Sequence, residues 1–81
     1  MNKNFELVAE VIENVADIPK SEIEMDSPLI DGLELSSLEL MTIISEISRK
    51  CSITISNDQI LEFETVGDIV AVLDENHVNE D

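Results

Sequence analysis

Asp31-Gly32-Leu33-Glu34-Leu35-Ser36-Ser37-Leu38-Glu39-Leu40 passes from turn chemistry into a helical pattern within one short stretch. Ser36 and Glu39 stand three apart, the spacing of a capping box, in which the serine side chain and the glutamate side chain each satisfy the other's backbone N–H. Ser36 is thereby predicted as the N-cap and Ser37 as the first helical residue. Beyond it, Leu38, Met41 and Ile44, flanked by Leu40, Ile43 and Ile47, predict a wide apolar face running to Ser48. Arg49 and Lys50 fall in the last turn, where cations suit the helix dipole.

Working outward, Phe5, Val8, Val11, Ile12 and Val15 mark one face of a first helix, with Asn4 as its expected N-cap. That helix should stop near Asp17-Ile18-Pro19, because proline pushes the preceding residue out of helical angles. A long irregular segment follows, with apolar anchors at Ile23, Met25, Leu29, Ile30, Leu33 and Leu35. A loop of that length in a small domain carries function or packs by its own side chains. Ser52-Ile53-Thr54-Ile55 alternates like a strand but has no partner run, and reads as a loop with two buried isoleucines. Ser56 with Gln59 repeats the capping spacing ahead of a short turn through Leu61-Glu62. Thr65 with Asp68 does so again before a last helix facing inward through Val66, Ile69, Val70 and Leu73. The polar end from Glu75 should fray. The fold class expected is all-α, a bundle of three main helices plus one short helix, in a single domain over residues 1–81.

Size and charge narrow the function classes. At 81 residues, a chain buries only about 60% of the surface it exposes when unfolded, which leaves little room for a deep catalytic cleft. There are two phenylalanines and no tryptophan or tyrosine, so the core must be aliphatic. Nineteen acidic residues against four basic give a net charge of −15. Such a chain repels nucleic acid and anionic membranes, and attracts partners with basic patches. No signal-like segment and no membrane-length apolar run is visible, so a cytoplasmic protein is the expectation, and it is expected to be a monomer.

Catalytic readings fail on their parts. The single histidine, His77, lies in the polar tail, and no glycine-flanked elbow surrounds Ser37. Cys51 has no plausible base beside it and reads as a core or boundary residue. A calcium loop aligned on Gly32 would place Ser27, Leu29 and Leu38 at ligand positions that need carboxylates. What remains is the helix start, where unpaired amides and the dipole would stabilise a phosphate esterified to Ser37. Serine at such a position is ordinarily only a cap.

Over residues 4–74, the order helix, long loop, serine-led helix, short helix, final helix resembles the acyl and peptidyl carrier proteins. Their attachment site typically reads Asp-Ser-Leu ahead of an apolar helix, and Ser36-Ser37-Leu38 stands there. The resemblance implies a non-enzymatic carrier holding acyl or aminoacyl groups as thioesters on 4′-phosphopantetheine attached to Ser37. The arm would come from coenzyme A through a phosphopantetheinyl transferase. Loading, synthase or transferase enzymes with basic patches would dock at Glu39, Met41 and Glu46, with Asp58 and Glu62 of the short helix as secondary contacts. An unmodified helical interaction module is the other reading. The chain departs from the family pattern in having Ser36 for the usual acid and Glu34 for the usual glycine, with Gly32 two residues earlier. Its second helix is also poor in charge, which suggests a dedicated partner.

Overall fold

The computed structural model describes residues 3–76 and is helical, as expected, with four α-helices. α1 spans Lys3–Ala16, α2 Ser37–Cys51, α3 Asn57–Glu62 and α4 Val66–Asn76, and a single 3₁₀ turn occupies Lys20–Glu22. α1 packs against both α2 and α4. Val8, Ala9, Val11 and Ile12 of α1 meet Leu40, Ile43, Ile44 and Ile47 of α2 and Val66, Ile69, Val70 and Leu73 of α4 in one aliphatic core. Charged side chains stay out of it among the described residues. Burying a carboxylate without a partner costs far more than so small a core can offset.

Each helix boundary has a local cause. α1 ends where Asp17 turns left-handed (φ 62°), its amide donating to the Glu13 carbonyl at 2.9 Å ahead of Pro19. Asn4 is not the cap of α1, because the chain is already helical at Lys3. Its Nδ2 instead donates to Asp74 Oδ1 on α4 at 2.6 Å, tying the two helices together. α2 ends at Cys51 with Ser52 left-handed (φ 56°) and the Ile53 amide returning to the Ser48 carbonyl at 3.1 Å. α3 opens on a full capping box between Ser56 and Gln59. At α4 the Asp68 carboxylate accepts from the Glu64 and Thr65 amides at 2.8 and 3.1 Å, the acidic half of the expected box.

The long loop packs by its own side chains and by backbone pairing to the α3–α4 connection. Leu29 donates to the Glu64 carbonyl (2.8 Å), Val66 to that of Ser27 (3.1 Å) and Gly67 to that of Met25 (2.7 Å), around an isolated antiparallel bridge between Pro28 and Thr65. That pairing decides which anchors bury. Ile23, Leu29 and Leu35 turn inward and Leu33 is half-buried. Met25 and Ile30, expected inside, are exposed, because side chains alternate about the paired backbone and the Pro28–Leu33 turn throws Ile30 outward. Ile53 and Ile55 lie in a loop as anticipated, but only half-buried against the edge of the core.

Candidate functional site

Ser36 carries the start of α2. With φ −77° and ψ 164° it is extended, and its Oγ accepts the Glu39 amide at 3.1 Å while Glu39 Oε1 accepts the Ser36 amide at 3.0 Å. The Ser36 carbonyl also takes the Leu40 amide at 2.9 Å. These bonds leave the amides of Ser37 and Leu38 without a protein acceptor among the described residues. They are the unpaired first-turn donors at the positive end of the helix dipole. Ser37 itself is exposed, with its side chain free of the capping arrangement.

The apolar face of α2 is rotated from the sequence expectation. The buried stripe is Leu40, Ile43, Ile44 and Ile47, a run at helical spacing. Leu38, two residues and about 200° round the helix from Leu40, is 76% exposed, and Met41 at the edge of the stripe is 49% exposed. Spacing alone could not separate the two sets, since six apolar residues in ten positions span more than one face. Their exposure leaves an apolar surface beside the serine. Ser37, Ile30, Leu40, Met41, Ile60, Leu61 and Phe63 line a shallow groove of about 220 Å³ between α2, α3 and the loop. Sequence reasoning missed Ile30, Leu38 and Leu61 as surface residues. Leu61, 83% exposed, had a signal, because it sits opposite the half-buried side of a helix only six residues long.

The expected docking residues divide into two kinds. Glu39 and Glu46 have their carboxylates committed within the chain, Glu39 to the cap and Glu46 to Arg49 at 2.7 Å. Asp58 and Glu62 are exposed on α3, and among the described residues no hydrogen bond or ion pair engages their carboxylates. Cys51 closes α2 at the far end, about 21 Å along the helix from Ser37 by rise per residue. Burial pushes its thiol up from the ordinary cysteine value, which lowers its thiolate fraction. His77 lies outside the described residues, within which no group of side chains could hold a metal ion.

The family model described as "Phosphopantetheine attachment site" matches residues 6–73, nearly all of the described fold. The acyl carrier protein of Beutenbergia cavernae is 32% identical over 66 residues, covering 82% of this chain and 80% of its own length. That of Exiguobacterium sibiricum is 36% identical over 67 residues, covering 83% and 85%. The meromycolate extension acyl carrier protein of Mycobacterium tuberculosis is 33% identical over 66 residues, covering 82% of this chain and 57% of that protein. The chain belongs to the phosphopantetheine-binding acyl carrier protein family. Members are carriers and not enzymes, and their cofactor is covalently attached 4′-phosphopantetheine. They work with a phosphopantetheinyl transferase and with synthase or transferase enzymes. Among the described residues, no helix is long and apolar enough to cross a membrane.

The residues present fit such an arm. An exposed hydroxyl, two unpaired amides at a helix start and an adjoining apolar groove suit, in turn, an ester link, a phosphate and the less polar remainder of the arm.

Proposed function

We propose that Ser37 is the attachment residue and that the protein carries acyl or aminoacyl groups for fatty-acid, polyketide or related biosynthesis. The observation that carries this is the division of labour between neighbouring serines. Ser36 is consumed by the capping box, while Ser37 is exposed beside free amides and an apolar groove. In the loading step Ser37 Oγ bonds to the pantetheine phosphorus of coenzyme A. The hydroxyl proton is lost to a base of the transferase, and adenosine 3′,5′-bisphosphate leaves. When attached, the arm supplies a thiol that holds cargo as a thioester.

The chain's own part is presentation. The cap fixes where Ser37 points, and the amides of Ser37 and Leu38 hold the phosphate against the helix start. Ile30, Leu40, Met41, Ile60, Leu61 and Phe63 offer an apolar strip beside it. Docking is assigned to Glu39, Met41 and Glu46 of α2, with Asp58 and Glu62 of α3 as secondary contacts; Glu39 and Glu46 also brace α2 through the Ser36 amide and Arg49. We take residues 1–81 as one monomeric carrier domain acting in the cytoplasm, where coenzyme A is available.

The test is the intact mass of the protein after incubation with coenzyme A and a broad-specificity phosphopantetheinyl transferase. One phosphopantetheine is expected on the wild type and on Ser36→Ala, and none on Ser37→Ala. A wild type that gains no mass would sink the carrier reading in favour of an unmodified interaction module.

A further inference from the structure

Both walls of the groove beside Ser37 are held by one short stretch of backbone, residues 63–67. On one side α3 runs directly into it. No side chain of α3 is fully buried and Ile60 is only half-buried, so the buried Phe63 that follows fixes where α3 ends. On the other side, the loop leading to α2 is paired with the same stretch. The Leu29 amide donates to the Glu64 carbonyl at 2.8 Å, the Val66 amide to that of Ser27 at 3.1 Å and the Gly67 amide to that of Met25 at 2.7 Å. One more bond reaches the site, from the Leu35 amide to the Leu29 carbonyl at 3.1 Å, and the buried Leu35 directly precedes the capping Ser36. The stretch is gripped in turn by Asp68, whose Oδ2 accepts the Glu64 amide at 2.8 Å and the Thr65 amide at 3.1 Å.

The geometry points to Asp68 as a positioning residue for Ser37, acting through this backbone clasp. The Thr65 N–H and the Glu64 carbonyl belong to one planar trans peptide unit, so they point in opposite directions. By holding the N–H, the Asp68 carboxylate aims the carbonyl at the Leu29 amide. Without that grip the peptide unit is free to rotate, and the start of α2 and the end of α3 lose their common reference. This rests on Ser37 being the attachment residue. What Asp68 sets is the placement of the Ser37 hydroxyl for transfer, where a displacement of about 1 Å is costly. The side chains of α2 and α3 are unchanged by its loss, so the effect falls on kcat and not on KM.

The experiment measures kcat and KM for pantetheinylation by a broad-specificity transferase with coenzyme A, together with amide hydrogen exchange of the unmodified protein. Asp68→Ala should lower kcat about fivefold with KM within about twofold of wild type, and the Leu29 and Leu35 amides should exchange about tenfold faster. Asp68→Asn keeps one side-chain oxygen for both amides and should return kcat and exchange to within about twofold of wild type. Gly67→Ala removes no hydrogen bond but brings a Cβ to 3.0 Å from the Met25 carbonyl oxygen, and should lower kcat about threefold. It carries the test if Asp68→Ala does not fold. Ile12→Val loosens the core away from the clasp and should leave kcat within about twofold of wild type. Circular dichroism and urea midpoints set conditions under which every compared variant is folded. The proposal is overturned if the folded clasp variants keep the wild-type kcat, if their loss lies in KM, if Ile12→Val loses as much, or if Asp68→Asn is no better than Asp68→Ala. A wild type that is never modified brings down the carrier reading and this inference together. A wild type modified normally, with clasp variants no slower, overturns the inference alone.

Discussion

Ser36 and Glu39 hold each other at the mouth of α2, each side chain accepting the other's backbone N–H, at 3.1 and 3.0 Å. The acid that usually precedes the modified serine in this family is replaced here by serine without loss of the cap, because a hydroxyl and a carboxylate satisfy the same amide. Ser36→Ala should therefore destabilise the fold by about 1 kcal/mol in urea titration, and Ser36→Asp should stay within about 0.5 kcal/mol of wild type. An alanine variant as stable as wild type would mean the box contributes nothing.

Glu34 and Gly32 have exchanged their expected conformations. Glu34 sits left-handed at φ 59°, where a side chain is strained, whereas Gly32 has no positive φ. Gly32 is needed for space, since a Cβ there would lie 2.6 Å from Pro28 Cδ and 2.8 Å from the Pro28 carbonyl oxygen. Glu34→Gly should raise stability by about 0.5–1 kcal/mol. Gly32→Ala should lower it by about 1–3 kcal/mol as the turn shifts to relieve the overlap. Opposite signs in a denaturant series would contradict the backbone geometry of this loop.

Most of the helices are legible in the sequence because their signals are local. The capping boxes at Ser36 and Ser56 and the stripe Val66, Ile69, Val70, Leu73 depend only on near neighbours along the chain, and the structure has them where spacing puts them. Leu38, Met25 and Ile30 lie outside against expectation because their burial depends on what lies across from them. In α2 that is the position of α1, and in the loop it is the backbone pairing to residues 64–67. The engagement of Glu39 is legible in the capping spacing, whereas the pairing of Glu46 with Arg49 is not singled out by the sequence. The apolar groove cannot be read from the sequence at all, since its lining comes from three separate segments.

The rotated face of α2 makes a pair of opposite expectations. Ile44 is 2% exposed in the core, so Ile44→Ala should cost about 2–5 kcal/mol through lost burial and a residual cavity. Leu38→Ala should change stability by less than about 0.5 kcal/mol. Thermal or urea unfolding of the two variants reads the difference directly. Equal losses would put Leu38 back among the buried residues.

Cys51 gives a pH dependence of known sign. Burial raises its thiol above the ordinary value of 9.0, so the folded state keeps the proton at pH values where the unfolded state begins to release it. The unfolded state then binds fewer protons, and stability falls as pH rises from near 9.0 through the higher folded-state value. Below that window the cysteine has no effect. Urea midpoints across the alkaline range should fall more steeply for wild type than for Cys51→Ser, and a Cys51→Ser variant that falls just as steeply would refute the assignment.

Ser37 as the loaded residue is the claim on which the rest depends, and the mass of two proteins tests it. Wild type and Ser37→Ala, each treated with coenzyme A and the same transferase, should differ by one phosphopantetheine, present on the wild type alone. An adduct of the same mass on Ser37→Ala would contradict the account and move the arm to another residue.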